Sequence, residues 1–148
     1  MDWIKQGLDD WRKASSDLRT VTESADDIFN QLWGDIKVIV DAAGRLGIAL
    51  LTNGSPRSRV VMMVANSSLG NPLLEDRTLA ISLAENRRSI TAKSDAGETR
   101  LEIAVCPDGV VCLKHQSHQI TSLAAAKDIM QDFLFKGSSP FPPTGLTV

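Results

Sequence analysis

The side chains best suited to chemistry lie close together near the C-terminal end of the chain. Cys106, Cys112, His115 and His118 are its only soft metal ligands apart from four Met. A tetrahedral zinc site needs four such groups converging, usually from tight Cys-x-x-Cys or His pairs. Here no Cys-x-x-Cys occurs, and alternation along a strand sends Cys106 and Cys112 to one face and His115 to the other. The spacing therefore predicts two small buried thiols and two strand-end histidines, with no metal and no cofactor. His115-Gln116-Ser117-His118 sets a base beside a hydroxyl. A catalytic triad also needs an acid and an oxyanion hole, and no Gly-x-Ser-x-Gly elbow is present. Gly44-Arg45-Leu46-Gly47 lacks the long loop and the Lys-Ser or Lys-Thr ending of a phosphate cradle. The acid pairs Asp9-Asp10, Asp26-Asp27 and Glu75-Asp76 are sequence neighbours, which diverge on a helix and make no dyad.

Basic residues form a second candidate group. Arg45, Arg57 and Arg59 fall in a stretch with no acid between Asp41 and Glu75, and Arg87-Arg88 sits at a hairpin tip. If Arg57, Arg59, Arg87 and Arg88 converge, they make an anion contact for an acidic peptide, a phosphate backbone or a lipid head. Nucleic acid fits poorly, because 16 Lys and Arg face 18 Asp and Glu, for a net charge of −2 and a pI of about 5.6. Aromatic platforms for bases are also scarce: there is no Tyr, and all three Trp lie in the first 33 residues.

The elements that carry these groups follow from periodicity. Ile4, Leu8, Trp11 and Leu18 recur at steps of three and four, which predicts an amphipathic helix over 2–18, with a weak point at Ser15. Thr20-Val21-Thr22-Glu23 has the form of a capping box and predicts the start of a second helix. Its stripe runs through Val21, Ala25, Ile28, Leu32, Ile36, Ile39, Ala43, Leu46 and Leu50, widened by Phe29, Trp33 and Val40. Gly44 and Gly47 predict fraying or a kink, and Asn53-Gly54-Ser55-Pro56 predicts a turn.

Strands follow. Arg59–Ala65 shows no alternation and is expected to be covered on both faces. Residues 66–76 read as a loop whose Leu69, Leu73 and Leu74 fold back over the sheet. A hairpin turning at Asn86-Arg87 sets Leu83 opposite Ile90 and Ile81 opposite Ala92. A second, turning at Pro107-Asp108-Gly109, sets Glu102 opposite Lys114, Ala104 opposite Cys112 and Ile103 opposite Leu113. Asp95-Ala96-Gly97 joins the two hairpins. Thr121 or Ser122 caps a last helix that reaches about Lys136. The expected fold is α+β: two N-terminal helices, a five-stranded antiparallel meander, and a C-terminal helix packed on the sheet. Residues 1–137 make one domain, with 1–19 as an interaction helix, and the Pro-rich segment 138–148 is a flexible tail.

These features predict a non-enzymatic protein-interaction or self-assembly module, chaperone- or adaptor-like. Its partner is another protein or a second copy, giving a homo-oligomer, in the first instance a dimer. Trp3, Leu8, Trp11, Phe29 and Trp33 are the expected interface residues, because Trp buries a large area at low entropic cost. Two other classes stay open: a small-molecule-binding domain or enzyme with a pocket near His115, and a structural component of a virion or secretion apparatus. The apolar run Val38–Leu51 is broken by Asp41 and Arg45 and falls short of the roughly 20 residues a membrane span needs. Neither this run nor the acidic N-terminus resembles a membrane or secretion signal, and two cysteines demand no oxidising compartment. The expected location is the cytoplasm.

Overall fold

A computed structural model of the protein describes residues 1–63 and 77–135. The expected segments 64–76 and 136–148, including the Leu69, Leu73 and Leu74 loop and the Pro-rich tail, lie outside the described residues. Among the described residues the chain forms one long helix, α1 (Asp2–Arg45), then seven strands and a second helix, α2 (Ser122–Phe135). The strands are β1 (Leu50–Ser55), β2 (Ser58–Met63), β3 (Arg77–Leu83), β4 (Ser89–Ser94), β5 (Gly97–Val105), β6 (Val111–His115) and β7 (His118–Ile120). They lie in sequence order in a single antiparallel sheet.

The two expected N-terminal helices are one. The Thr20 hydroxyl donates to the Ser16 carbonyl at 3.0 Å, and the Thr22 hydroxyl donates to the Arg19 carbonyl at 3.0 Å. A Thr that bonds back one turn leaves the ladder intact, so the capping-box letters start no new helix. No Pro or Gly lies between Leu8 and Asn30 to break the ladder. The helix ends where its glycines lie. Gly47 takes φ +95°, the Gly47 N–H donates to the Gly44 carbonyl at 3.1 Å, and the Ile48 N–H donates to the Ala43 carbonyl at 2.9 Å. These two bonds form a Schellman stop.

Among the described residues the meander has seven strands rather than five. Asn53-Gly54 lies inside β1, and the turn falls at Pro56-Arg57, so Leu50 opens a strand instead of ending a helix. At the other edge, Gln116 and Ser117 adopt φ +51° and +68°, which turns β6 back into β7. Two successive positive φ values are the geometry of a type I′ hairpin, here without its usual Asn or Gly. Both expected inner registers hold: Leu83 faces Ile90 and Ile81 faces Ala92, while Glu102 faces Lys114, Ala104 faces Cys112 and Ile103 faces Leu113. β2 is not covered on both faces. Val61 and Met63 are buried, whereas Val60 and Met62 are half-buried on the opposite side.

One face of the sheet carries the core. Val61, Leu79, Ile81, Ile90, Leu101, Ile103 and Leu113 pack beneath Phe29, Leu32 and Ile36 of α1 and Ala126, Met130 and Phe133 of α2. Each fully buried side chain of this size contributes about 1.5–3 kcal/mol. The Thr121 hydroxyl accepts the Ala124 N–H at 3.1 Å and caps α2, as expected. On the opposite face Lys93 lies across from Glu98 and Glu102 across from Lys114.

Cys106 and Cys112, expected as separate buried thiols, are joined in a disulfide. Its physical origin is the hairpin register. Ala104 faces Cys112, so Cys106 is the diagonal neighbour on the same face, with its Cα 6.2 Å from that of Cys112. The bridge clamps a turn already held by the Cys106 N–H donating to Val110 and the Gly109 N–H donating to Cys106. A loop this short loses little entropy on closure. Cys106→Ala with Cys112→Ala should therefore lower unfolding free energy by about 2 kcal/mol in urea titration, with the fold retained. An unchanged midpoint would contradict a cross-linked hairpin.

Candidate functional site

Burial divides α1 into two halves. From Val21 to Ala43 its apolar stripe is covered by the sheet and α2. From Asp2 to Arg19 the same helix continues with no buried residue. The first half spans about 28 Å at 1.5 Å per residue. It is an arm that carries its stripe past the body of the domain. Trp3 is 75% exposed and Trp11 67% exposed, with Ile4, Leu8 and Leu18 also exposed.

The sequence explains how the arm stays helical while uncovered. Asp2, Lys5, Asp9, Lys13 and Asp17 alternate in sign at steps of three and four. Such spacing supports a helix by a few tenths of a kcal/mol per pair. Gln6 adds a hydrogen bond to Asp10 at 2.9 Å, again four residues on. The arm also needs no nucleus of its own, because it extends a helix already nucleated against the sheet.

The five expected interface residues separate accordingly. Trp3, Leu8 and Trp11 lie on the arm. Phe29 is 1% exposed and Trp33 8% exposed, so both belong to the domain's own core. The breadth of the second stripe is explained within the chain, since that stripe packs against both the sheet and α2.

Of the four arginines expected to form an anion contact, Arg57 and Arg59 are engaged by other side chains. Arg57 donates two hydrogen bonds to Asp26, from Nε at 2.8 Å and from Nη2 at 3.0 Å. Arg59 lies over the Trp33 ring, 5.6 Å from its centroid. Arg87 stands near enough to Asp26 for its charge to be felt there. Arg88 lines a hollow with Leu18, Val21, Arg100, Glu102 and Ile103. Asp26 on α1 thus neutralises the group that would otherwise lead an anion site.

His115 and His118 face each other across the last hairpin. The neighbouring hollow of 230 Å³ is lined by Ile28, Val111, Leu113 and Ile120 among others, and by neither histidine. The Cys106 and Cys112 sulfurs are committed to each other and supply no thiolate. Among the described residues, no three His, Cys, Asp or Glu side chains are grouped to hold a metal ion. No helix among them is long and apolar enough to cross a membrane.

Arg77 escaped the sequence reading. It occupies an inward position of β3, 6% exposed, and donates to the Leu134 carbonyl at 3.1 Å and to the Met63 sulfur at 3.3 Å. Its guanidinium lies 5.8 Å from the centre of the Phe133 ring. It ties the Leu134 carbonyl in the last turn of α2 to the sheet, a structural rather than reactive role. The only sequence signal was its place two residues before Leu79 in the inward alternation.

Two measurements check this division. Phe29→Ala should cost about 3–5 kcal/mol of unfolding free energy, whereas Trp11→Ala in dilute protein should stay within about 0.5 kcal/mol. A large loss at Trp11 in the monomer would place the arm in the core. The Arg57 hydrogen bond, reinforced by Arg57 and Arg87 charge, holds the Asp26 carboxyl below its ordinary 3.8. Whatever stability the pair lends is present at neutral pH and lost as pH falls through that lowered value. Arg57→Ala should raise the Asp26 midpoint in an NMR titration, and an unmoved midpoint would exclude the pair.

Comparison with protein-family models, with curated proteins and with solved structures finds no match to this chain.

Proposed function

We propose that the protein is a non-enzymatic interaction module that binds another protein through the apolar stripe of its N-terminal arm. The observation that carries this reading is the exposure of Trp3 and Trp11 on a helix whose other half is buried in the same chain. Two large aromatic side chains in water, about two helical turns apart, are costly to leave uncovered. They are also the residue type that anchors helix-in-groove contacts. The rest of the molecule reads as the mount for this arm. The sheet and α2 hold the second half of α1, and the arm extends rigidly from that grip. An adaptor-like or assembly role follows more readily from such a shape than catalysis does.

A cytoplasmic setting, expected from composition, fits poorly with the Cys106–Cys112 bridge, because reducing compartments keep such pairs as thiols. The bridge supports a setting in which it stays oxidised.

The test compares the full chain with its Trp11→Asp variant in extract of the source organism by size-exclusion chromatography. The full chain should elute well above its 16.0 kDa mass, and the variant should shift toward it. Identical elution of the two would refute an arm-based interaction. Circular dichroism and melting of the purified variant confirm that its domain remains folded.

A further inference from the structure

The direction in which a second helix can lie on the arm is restricted by the domain itself. The exposed stripe of Ile4, Leu8, Trp11 and Leu18 is the same face that the sheet covers from Val21 onward. Leu18 and Val21 line one hollow together with Ile103 of β5, so the stripe passes under the sheet without changing sides. A helix laid on the arm in the parallel sense, if it is as long as α1, would run past Val21 into the volume that the sheet fills. A helix laid antiparallel meets no such obstacle. Its first twenty residues end where the sheet begins. Its own domain starts opposite the Asp2 end of the first arm, away from the first sheet.

We propose that the arm's partner is the arm of a second copy of this chain, paired antiparallel about a two-fold axis near Trp11. This inference rests on the docking-arm reading and names its occupant. The arm is self-complementary in length, because each copy leaves about 28 Å of stripe uncovered and brings about 28 Å of helix to cover it. It is also sufficient in area. Two exposed Trp with Ile4, Leu8 and Leu18 offer on the order of 600 Å² per arm, so a pair can bury up to roughly 1,200 Å², the lower end of stable interfaces. The closed two-fold uses one patch on both copies and leaves no stripe open for further growth.

Charge gives the pairing a signature. Lys5, Arg12 and Arg19 recur every seven residues along one edge of the stripe, and Trp3, Asp10 and Asp17 recur every seven along the other. A two-fold axis perpendicular to two antiparallel helices sets each edge against its own copy. The basic edges therefore meet and repel, and salt relieves that repulsion. Dimerisation should tighten as ionic strength rises, the reverse of what a foreign helix with complementary edges would show.

Purified full-length protein in sedimentation equilibrium at about 0.05 M and about 0.5 M salt tests this directly. The expected result is a monomer–dimer equilibrium whose Kd falls about 3- to 10-fold at the higher salt. Spin labels at Asp2→Cys and, separately, at Lys13→Cys report direction. Antiparallel pairing gives separations along the axis of about 27 Å at the first position and about 6 Å at the second. Nearly equal distances at the two positions, a Kd that rises with salt, or a monomer up to about 1 mM protein would each overturn the inference. If the purified chain stays monomeric while its extract complex still depends on Trp11, the second-copy claim falls and the docking arm stands. If Trp11→Asp changes neither, both fall.

Discussion

A single apolar stripe, carried by one unbroken 44-residue helix and covered over only half its length, is the constraint on which the rest of this structure depends. From Val21 to Ala43 the stripe supplies the upper layer of the core, and seven strands and α2 are arranged to bury it. A sheet of one meander has one face to spend on this. Its other face carries cross-strand charge pairs such as Lys93–Glu98 and Glu102–Lys114. The domain is thus two layers deep, and α1 is longer than the layer beneath it. The overhang is a direct consequence of the ladder that continues through Thr20.

Much of the sheet was legible in the sequence because hydrophobic period and turn chemistry agree there. Leu79, Ile81 and Leu83 alternate cleanly, and Pro107-Asp108-Gly109 fixes a register that satisfies both faces of the second hairpin. Misreadings arose where local letters admit two uses. Thr20 and Glu23 spell a cap, yet the Thr hydroxyl serves equally well bonding back to Ser16, and nothing nearby stops the helix. Asn53-Gly54 spells a turn, yet Pro56 turns the chain two residues later. Gln116-Ser117 spells no turn, yet these two residues take the left-handed backbone that joins β6 to β7.

The arm was legible as an amphipathic helix, and Ser15 alone interrupted its stripe. What periodicity could not separate was Trp11 from Trp33. Both sit on one helix in similar stripes, and only the position of the sheet decides that one is core and the other is bare. The disulfide was hidden for a related reason. The register places both sulfurs on one face, but alternation alone does not say that the diagonal pair lies close enough to bond, with its Cα atoms 6.2 Å apart. Arg77 illustrates the converse case, a charged residue at an inward position whose partner, the end of α2, is remote in sequence.

The account turns on whether the first half of α1 is covered by a second molecule while the second half is covered by its own. Amide hydrogen exchange measured across a range of protein concentration separates the two directly. Slow exchange from Ala25 to Ala43 at every concentration, with exchange from Ile4 to Leu18 rapid in dilute protein and slowing as protein is added, is the predicted pattern. Arm amides that exchange at one rate throughout would contradict it.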